Sequence, residues 1–135
     1  MSVYDPSPEE VEAWVAGGKP TPWPEQDWDY FVSEGRNDDV IFKYANDAAC
    51  PFSDFFLHCL YLIVGDFREW HAENTVRKER ILRLLSRVDS TCSSTVHKWK
   101  NETVAILAGE AEFVLSYWID HLYYDDIQAG QITKP

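Results

Sequence analysis

The sequence predicts an all-α protein, a compact single domain of six or seven short helices around a central apolar helix at about residues 51–70. Three observations support this prediction. Apolar residues recur at steps of three and four along most of the chain, strand-like alternation is absent, and helix-capping residues separate the periodic stretches. With 135 residues, the chain is long enough for one domain to bury roughly two-thirds of its unfolded surface.

The first predicted helix begins with a capping box. Ser7 is the expected N-cap, a proline follows at the first helical position, and Glu10 closes the box three residues later. Gly17 and the glycine after it are expected to end this helix. Residues 19–24, KPTPWP, then form a proline-rich connector, which we expect to hold Trp23 against the domain.

Two short helices are predicted between the connector and the central helix. Residues 25–34 have Trp28, Phe31 and Val32 at inward positions. Asn37 or the aspartate after it can cap a third helix that runs to about residue 48. The acidic residues expected on the outward side of the earlier helix are Asp27, Asp29 and Glu34.

The central helix is predicted from PFSDFFLHCLYLIVGDFREW, residues 51–70. Apolar side chains cover most of its circumference, which is typical of a helix in the middle of a domain. Gly65 costs about 1 kcal/mol relative to alanine inside a helix, so we expect another helix to approach closely there. The main apolar face comprises Phe52, Phe56, Cys59, Leu60, Ile63, Phe67 and Trp70.

An amphipathic helix is predicted over residues 75–88. Its arginine ridge lies opposite the apolar side, and we expect these cations to pair with the protein's own carboxylates, including Glu73 and Glu79 at helical spacing. A role for the ridge as an interface stays open. The ridge comprises Arg80, Arg83 and Arg87, and the inward residues are Ile81, Leu82, Leu84, Leu85 and Val88.

Two more helices complete the predicted bundle. Residues 93–108 place Val96, Trp99 and other apolar residues on one face before a glycine interrupts. Residues 110–124 form the last helix, with Phe113 on its outer side. We expect residues 125–135 to be a flexible tail.

The central helix also carries one narrow polar strip. Asp54 and His58 are four residues apart, which allows them to orient one another or to hold a metal ion. We favour a structural pair, because no third and fourth ligands share a helix face with them. A metal- or small-ligand-binding domain built on this pair is the alternative. The strip comprises Asp54, His58, Tyr61, Gly65 and Arg68.

The sequence predicts no catalytic residues, no cofactor and no resident metal. There is no glycine-rich phosphate loop, no Gly-x-Ser-x-Gly and no Glu-x-x-His pattern. The three cysteines, Cys50, Cys59 and Cys92, form no Cys-x-x-Cys motif, and we expect reduced thiols. The N-terminal residues lack a signal-peptide pattern, and no apolar stretch approaches the ~20 residues that span a membrane.

The charge of the chain is strongly acidic and unevenly distributed. The net charge of −11 disfavours nucleic-acid binding, which needs a basic surface, and favours attraction of a basic partner. Residues 1–66 carry 13 acidic and 3 basic groups, and residues 101–135 carry 6 and 1. Residues 67–100 carry the reverse balance, 4 acidic and 8 basic groups.

Two acidic regions are candidate partner-binding surfaces. Tyrosines and carboxylates lie together near the end of the last helix, and this combination suits an interface with an arginine- or lysine-bearing partner. We predict partner contacts from Tyr117, Asp120, Tyr123, Tyr124, Asp125 and Asp126. The secondary candidates are Glu25, Asp27, Asp29, Glu34, Asp38 and Asp39.

In its net charge and in these two acidic regions, the chain resembles the small, acidic, helical immunity proteins that protect bacteria from their own toxins. The resemblance covers the character of the chain, not a motif, so it assigns no residue a role. It implies a cytoplasmic, non-catalytic inhibitor that occludes the active site of a basic toxin domain, with no nucleic acid or membrane as partner. A non-enzymatic adaptor subunit of a larger assembly is another open alternative.

Overall fold

The computed structural model describes residues 3–113, which contain six helices and no strands. The predicted all-α class is therefore confirmed. The helices are α1 (Pro8–Ala16), α2 (Trp28–Val32), α3 (Asp38–Ala45), α4 (Ser53–Trp70), α5 (Thr75–Ser86) and α6 (Ser94–Leu107).

The start of α1 has the predicted capping box. Ser7 Oγ accepts a hydrogen bond from the Glu10 backbone N–H at 3.2 Å, and Glu10 Oε1 accepts one from the Ser7 N–H at 3.1 Å. Both bonds satisfy backbone donors that a helix leaves without intrahelical partners. Gly17 caps the other end, as predicted.

Helix α4 contacts α2, α3, α5 and α6. Eleven of its 18 residues are buried, including Phe56, Leu60 and Val64, because apolar side chains project from nearly its whole circumference. Although α4 is this long, neither it nor another helix among residues 3–113 is long and apolar enough to cross a membrane.

An aromatic cluster joins α1 and the proline-rich connector to the start of α4. The Trp14 ring of α1 lies 4.8 Å from the Phe52 ring and 4.9 Å from the Phe55 ring, centre to centre, in edge-to-face geometry. From the connector, Trp23 reaches Phe55 at 5.5 Å. The predicted role of the connector, to hold Trp23 against the domain, is confirmed.

Two apolar residues that were predicted to face inward are instead exposed. Leu82 of α5 is 47 % exposed, because the covered face of this helix follows the spacing of Ile81, Leu84, Leu85 and Val88, and Leu82 falls beside it. Trp70 is 70 % exposed. It is the last residue of α4, nearly one turn beyond Phe67, which is the last buried side chain of that helix.

The close neighbour of Gly65 is an aromatic ring and not the predicted helix. Phe113 is buried against Gly65, so its predicted position on an outer helix face is wrong. Residues 110–113, expected to begin the last helix, are not helical. The remainder of that predicted helix and the predicted tail, residues 114–135, lie outside the described residues.

We predict that Gly65→Ala destabilises the protein because the new methyl group would overlap with the Phe113 ring. Thermal unfolding of the single and double variants measures this coupling. In a Phe113→Ala background the same change should stabilise, since alanine favours a helix over glycine by about 1 kcal/mol. Equal destabilisation in both backgrounds would contradict the assigned contact.

The contact between α1 and α3 predicts a pH dependence of stability. The Tyr44 hydroxyl and then the Lys43 ammonium hold the pKa of Glu12 below its ordinary value of 4.5. An ionised Glu12 therefore stabilises the fold above that value, and this contribution is lost as the pH falls through the lowered pKa. Urea unfolding of Glu12→Gln at several pH values should show a deficit that shrinks on acidification, with the exposed Glu9→Gln as control.

Candidate functional site

The residues of the first predicted binding surface lie outside residues 3–113. This surface therefore stays a prediction for Tyr117, Asp120, Tyr123, Tyr124, Asp125 and Asp126. The second predicted surface is described in full, and the structure divides its six acidic residues into three groups.

The first group, on α3, pairs with the arginine ridge of α5. Asp38 accepts three hydrogen bonds from the Arg80 guanidinium, at 2.6 to 3.0 Å. Asp39 accepts one from Arg87 at 2.7 Å. These pairs join carboxylates of the acidic N-terminal half to cations of the basic middle segment, as the sequence predicted for the ridge in general terms.

The pairs along the ridge differ from the predicted helical spacing. Arg77 lies against Asp66 of α4 and not against Glu73. A carboxylate held on a neighbouring helix fixes an arginine better than a flexible side chain one turn away on the same exposed face. Arg83 is exposed and has no ion-pair partner among residues 3–113.

The second group is Asp29 alone, and its predicted outward orientation is wrong. Its side chain is 14 % exposed, and its Oδ2 atom lies 2.7 Å from Nε2 of His58, which is fully buried on α4. A buried imidazole favours a hydrogen-bonding partner, and an ionised carboxylate accepts such a bond strongly. The predicted partner of His58, Asp54, is exposed instead.

The Asp29 backbone is held as well as its side chain. Ser33 Oγ donates a hydrogen bond to the Asp29 carbonyl at 2.7 Å, and the Cys59 thiol lies 3.8 Å from the same oxygen. Burial raises the pKa of the Cys59 thiol, which keeps it protonated and chemically inert. These contacts make the inner side of α2 a polar anchor on α4.

The described residues give the metal-binding alternative no ligand set. No group of three or more histidine, cysteine, aspartate or glutamate side chains within residues 3–113 is arranged to hold a metal ion. Two residues cannot form a tetrahedral zinc site, and His58 already contacts the Asp29 carboxylate. Its geometry fits the structural pair that the sequence favoured, with a different partner.

The third group, Glu25, Asp27 and Glu34, faces outward around α2. The Glu25 carboxylate accepts a hydrogen bond from the Asp27 backbone N–H at 2.7 Å, and Asp27 and Glu34 are exposed. These residues are where the sequence predicted them.

Aromatic residues lie among these acids. Positions 27, 30, 31 and 34 follow a spacing of three and four, so Tyr30 and Phe31 share the outward side of α2 with Asp27 and Glu34. The predicted inward position of Phe31 is therefore wrong, because Trp28 and Val32 fill the buried side of this short helix. The Tyr4 ring stacks edge-to-face on Phe31 at 5.4 Å and is 68 % exposed. We call this set the α2 surface: Tyr4, Asp27, Tyr30, Phe31 and Glu34.

Tyr4 and Tyr30 were not among the residues predicted for this surface. The spacing of position 30 relative to Asp27 and Glu34 was visible in the sequence and would have placed Tyr30 beside the acids. Tyr4 and Phe31 are 27 positions apart in the chain, so no local sequence pattern predicts their contact.

Tyr30 and Glu34 interact directly. Burial raises the pKa of the Tyr30 hydroxyl first, and its hydrogen bond to the Glu34 carboxylate raises it further. The raised pKa keeps the Tyr30 hydroxyl protonated. Tyr30 is 43 % exposed, so part of its ring faces solvent next to the exposed Glu34 side chain.

Comparison with models of known protein families, with curated proteins and with solved structures found no match for this chain. The residues of the α2 surface and the charge of the chain are therefore the guides to its function.

The anchor of α2 predicts unequal effects of two aspartate substitutions. Asp29→Ala leaves the buried His58 without its carboxylate, so the free energy of unfolding should fall by about 3 kcal/mol. Asp54→Ala, at the exposed position that the sequence paired with His58, should change it by less than about 0.5 kcal/mol. Urea unfolding of both variants measures the difference, and similar values for the two would contradict the anchor.

Proposed function

We propose that this protein is a non-catalytic, protein-binding inhibitor of the immunity type, acting in the bacterial cytoplasm on a basic toxin domain. The observation that carries the proposal is the α2 surface, where exposed aromatic rings lie beside exposed carboxylates on a strongly acidic protein. Tyrosines supply rigid contact area with a polar tip, which suits the centre of an interface.

Charge supports the same partner chemistry. The cations Arg77, Arg80 and Arg87 each pair with a carboxylate of the same chain. These pairs neutralise much of the basic middle segment, and the net charge of −11 leaves an excess of acidic groups to act on a partner. Such an excess attracts a cationic protein and speeds its association, most strongly at low salt.

The mechanism we propose is occlusion. Glu34 and Asp27 would pair with arginine or lysine side chains around the toxin's active site, while Tyr30 and Tyr4 cover the apolar parts of that surface. Helix α2 is fixed in advance by buried Trp28 and Val32 and by its Asp29 anchor. A surface that is ordered before binding loses less conformational entropy when the complex forms.

The C-terminal residues Tyr117 to Asp126 remain part of this proposal as a prediction. They offer the same combination of tyrosines and carboxylates as the α2 surface. Because both regions combine tyrosines with carboxylates, either could bind a basic protein. The size and shape of the partner decide whether it contacts both.

The proposal predicts which variant loses the partner. Immobilised wild-type protein should capture a basic protein from host lysate at low salt and release it as salt rises. Tyr30→Ala combined with Glu34→Gln should weaken binding of the purified partner at least about 30-fold, since aromatic interface anchors contribute ~2 kcal/mol or more. Isothermal titration calorimetry measures the affinity.

The matched control combines Val76→Ala with Glu79→Gln on α5. Like the test variant, it removes one exposed side chain with an apolar surface and one negative charge from a single helical face. Full binding by this variant excludes a general effect of charge. Equal loss in both variants would refute the α2 surface, and capture of a salt-resistant set of unrelated proteins would indicate an adaptor instead.

A further inference from the structure

We infer that Arg80, on α5, is a positioning residue for the α2 surface, an inference that rests on the function proposed above. Its guanidinium reaches the corner between α2 and α3 and contacts both sides of it. Nη2 donates a hydrogen bond to the Ser33 carbonyl at 2.6 Å, at the C-terminal end of α2. Nε and Nη2 donate to the Asp38 carboxylate, in the first turn of α3.

Each of the two contacts suits its position. The carbonyls at a helix C-terminus lack intrahelical donors, and a cation stabilises that end of the helix. A carboxylate in the first turn of a helix is stabilised at the opposite pole. Arg80 is only 11 % exposed, so both contacts form in a setting where the charge is poorly screened by water.

Helix α2 needs such support because it is short. Five residues form little more than one turn, and isolated helices of this length are unstable in water. The corner that follows α2 includes Gly35, whose φ of 143° lies in the region that favours glycine. Arg80 lies on α5 and contacts both sides of this corner. It therefore fixes the orientation of α2 relative to α3.

Arg80 also borders the binding residues themselves. A small cleft between α2, α4 and α5 is lined by Tyr30, Ser33, Glu34 and Arg80, together with Asp66 and Arg77. The Arg80 guanidinium and the Tyr30 and Glu34 side chains therefore line the same cleft.

Arg87, the residue that caps the C-terminal end of α5, provides a matched comparison. It pairs with Asp39 of α3, the neighbour of Asp38, and its guanidinium lies over the Phe42 ring of α3, so its side-chain contacts within residues 3–113 do not include α2. A substitution there removes an arginine–aspartate pair between α5 and α3 and leaves the corner intact. Replacing either arginine by lysine keeps the net charge, so neither variant changes the long-range attraction of a cation.

Lysine cannot reproduce the contacts of Arg80. Its single ammonium group is a compact charge on a flexible stem, whereas the planar guanidinium places several donors at fixed angles. Arg80→Lys is therefore expected to keep a salt bridge to Asp38 and to lose the simultaneous bond to the Ser33 carbonyl.

The experiment compares wild type, Arg80→Lys and Arg87→Lys under conditions where all three are folded. Amide hydrogen exchange reports on α2, and titration with a nona-arginine peptide at low salt reports on binding. In Arg80→Lys, the Phe31, Val32 and Ser33 amides should exchange about tenfold faster, with α6 amides unchanged, and peptide affinity should fall about fivefold. Arg87→Lys should match wild type in both measurements.

Equal behaviour of the two lysine variants, or wild-type affinity in Arg80→Lys, would overturn the positioning role. The variant Tyr30→Ala with Glu34→Gln separates this failure from failure of the proposed function. If that variant binds nona-arginine as well as the Val76→Ala, Glu79→Gln control does, the α2 surface itself is refuted. If it loses affinity while Arg80→Lys does not, only the role of Arg80 is refuted.

Discussion

The contact between Asp29 and His58 is the constraint on which the proposed site depends. It joins a helix of five residues to α4, the longest of the helices within residues 3–113, through a fully buried imidazole. Because Asp29 points inward with Trp28 and Val32, residues 27, 30, 31 and 34 must point outward. The same geometry that satisfies a buried polar group thus places aromatic rings and carboxylates together in solvent. Removing either partner would cost stability and would also release the proposed binding face.

The distribution of charge follows a related logic. The acidic N-terminal half and the basic middle segment do not form separate poles, since arginines of α5 pair with carboxylates of α3 and α4. One of these arginines, Arg80, has a second role because it also donates a hydrogen bond to the Ser33 carbonyl at the C-terminal end of α2. Electrostatic neutralisation and the geometry of the α2 surface are therefore linked through one side chain. The acidic groups left outside such pairs set the sign of the field that a partner meets.

Much of the fold could be predicted because helix signals are local. The capping box of Ser7 and Glu10 lies within a single helix, and this prediction is confirmed. The apolar spacing of α4 is also a local signal, and 11 of the 18 residues of that helix are buried. The errors concern contacts between elements. A helical wheel places a carboxylate such as Asp29 outside, because it contains no information on contacts with other helices. The partner of Asp29 is a buried histidine 29 residues later in the chain. Likewise, Leu82 and Trp70 have the right periodicity, but the covered area of each helix is set by its neighbours. The acids around α2 were predictable from charge, whereas the stacking of Tyr4 on Phe31 required the tertiary structure.

The measurement that tests the central claim most directly is a hydrogen-exchange footprint of the protein with and without its captured partner. The account predicts slower exchange in the complex for the amides of residues 28–34, around Tyr30 and Glu34, whether or not residues 114–135 are also protected. Unchanged exchange over residues 28–34, with protection confined to other parts of the chain, would contradict the α2 surface as the binding site.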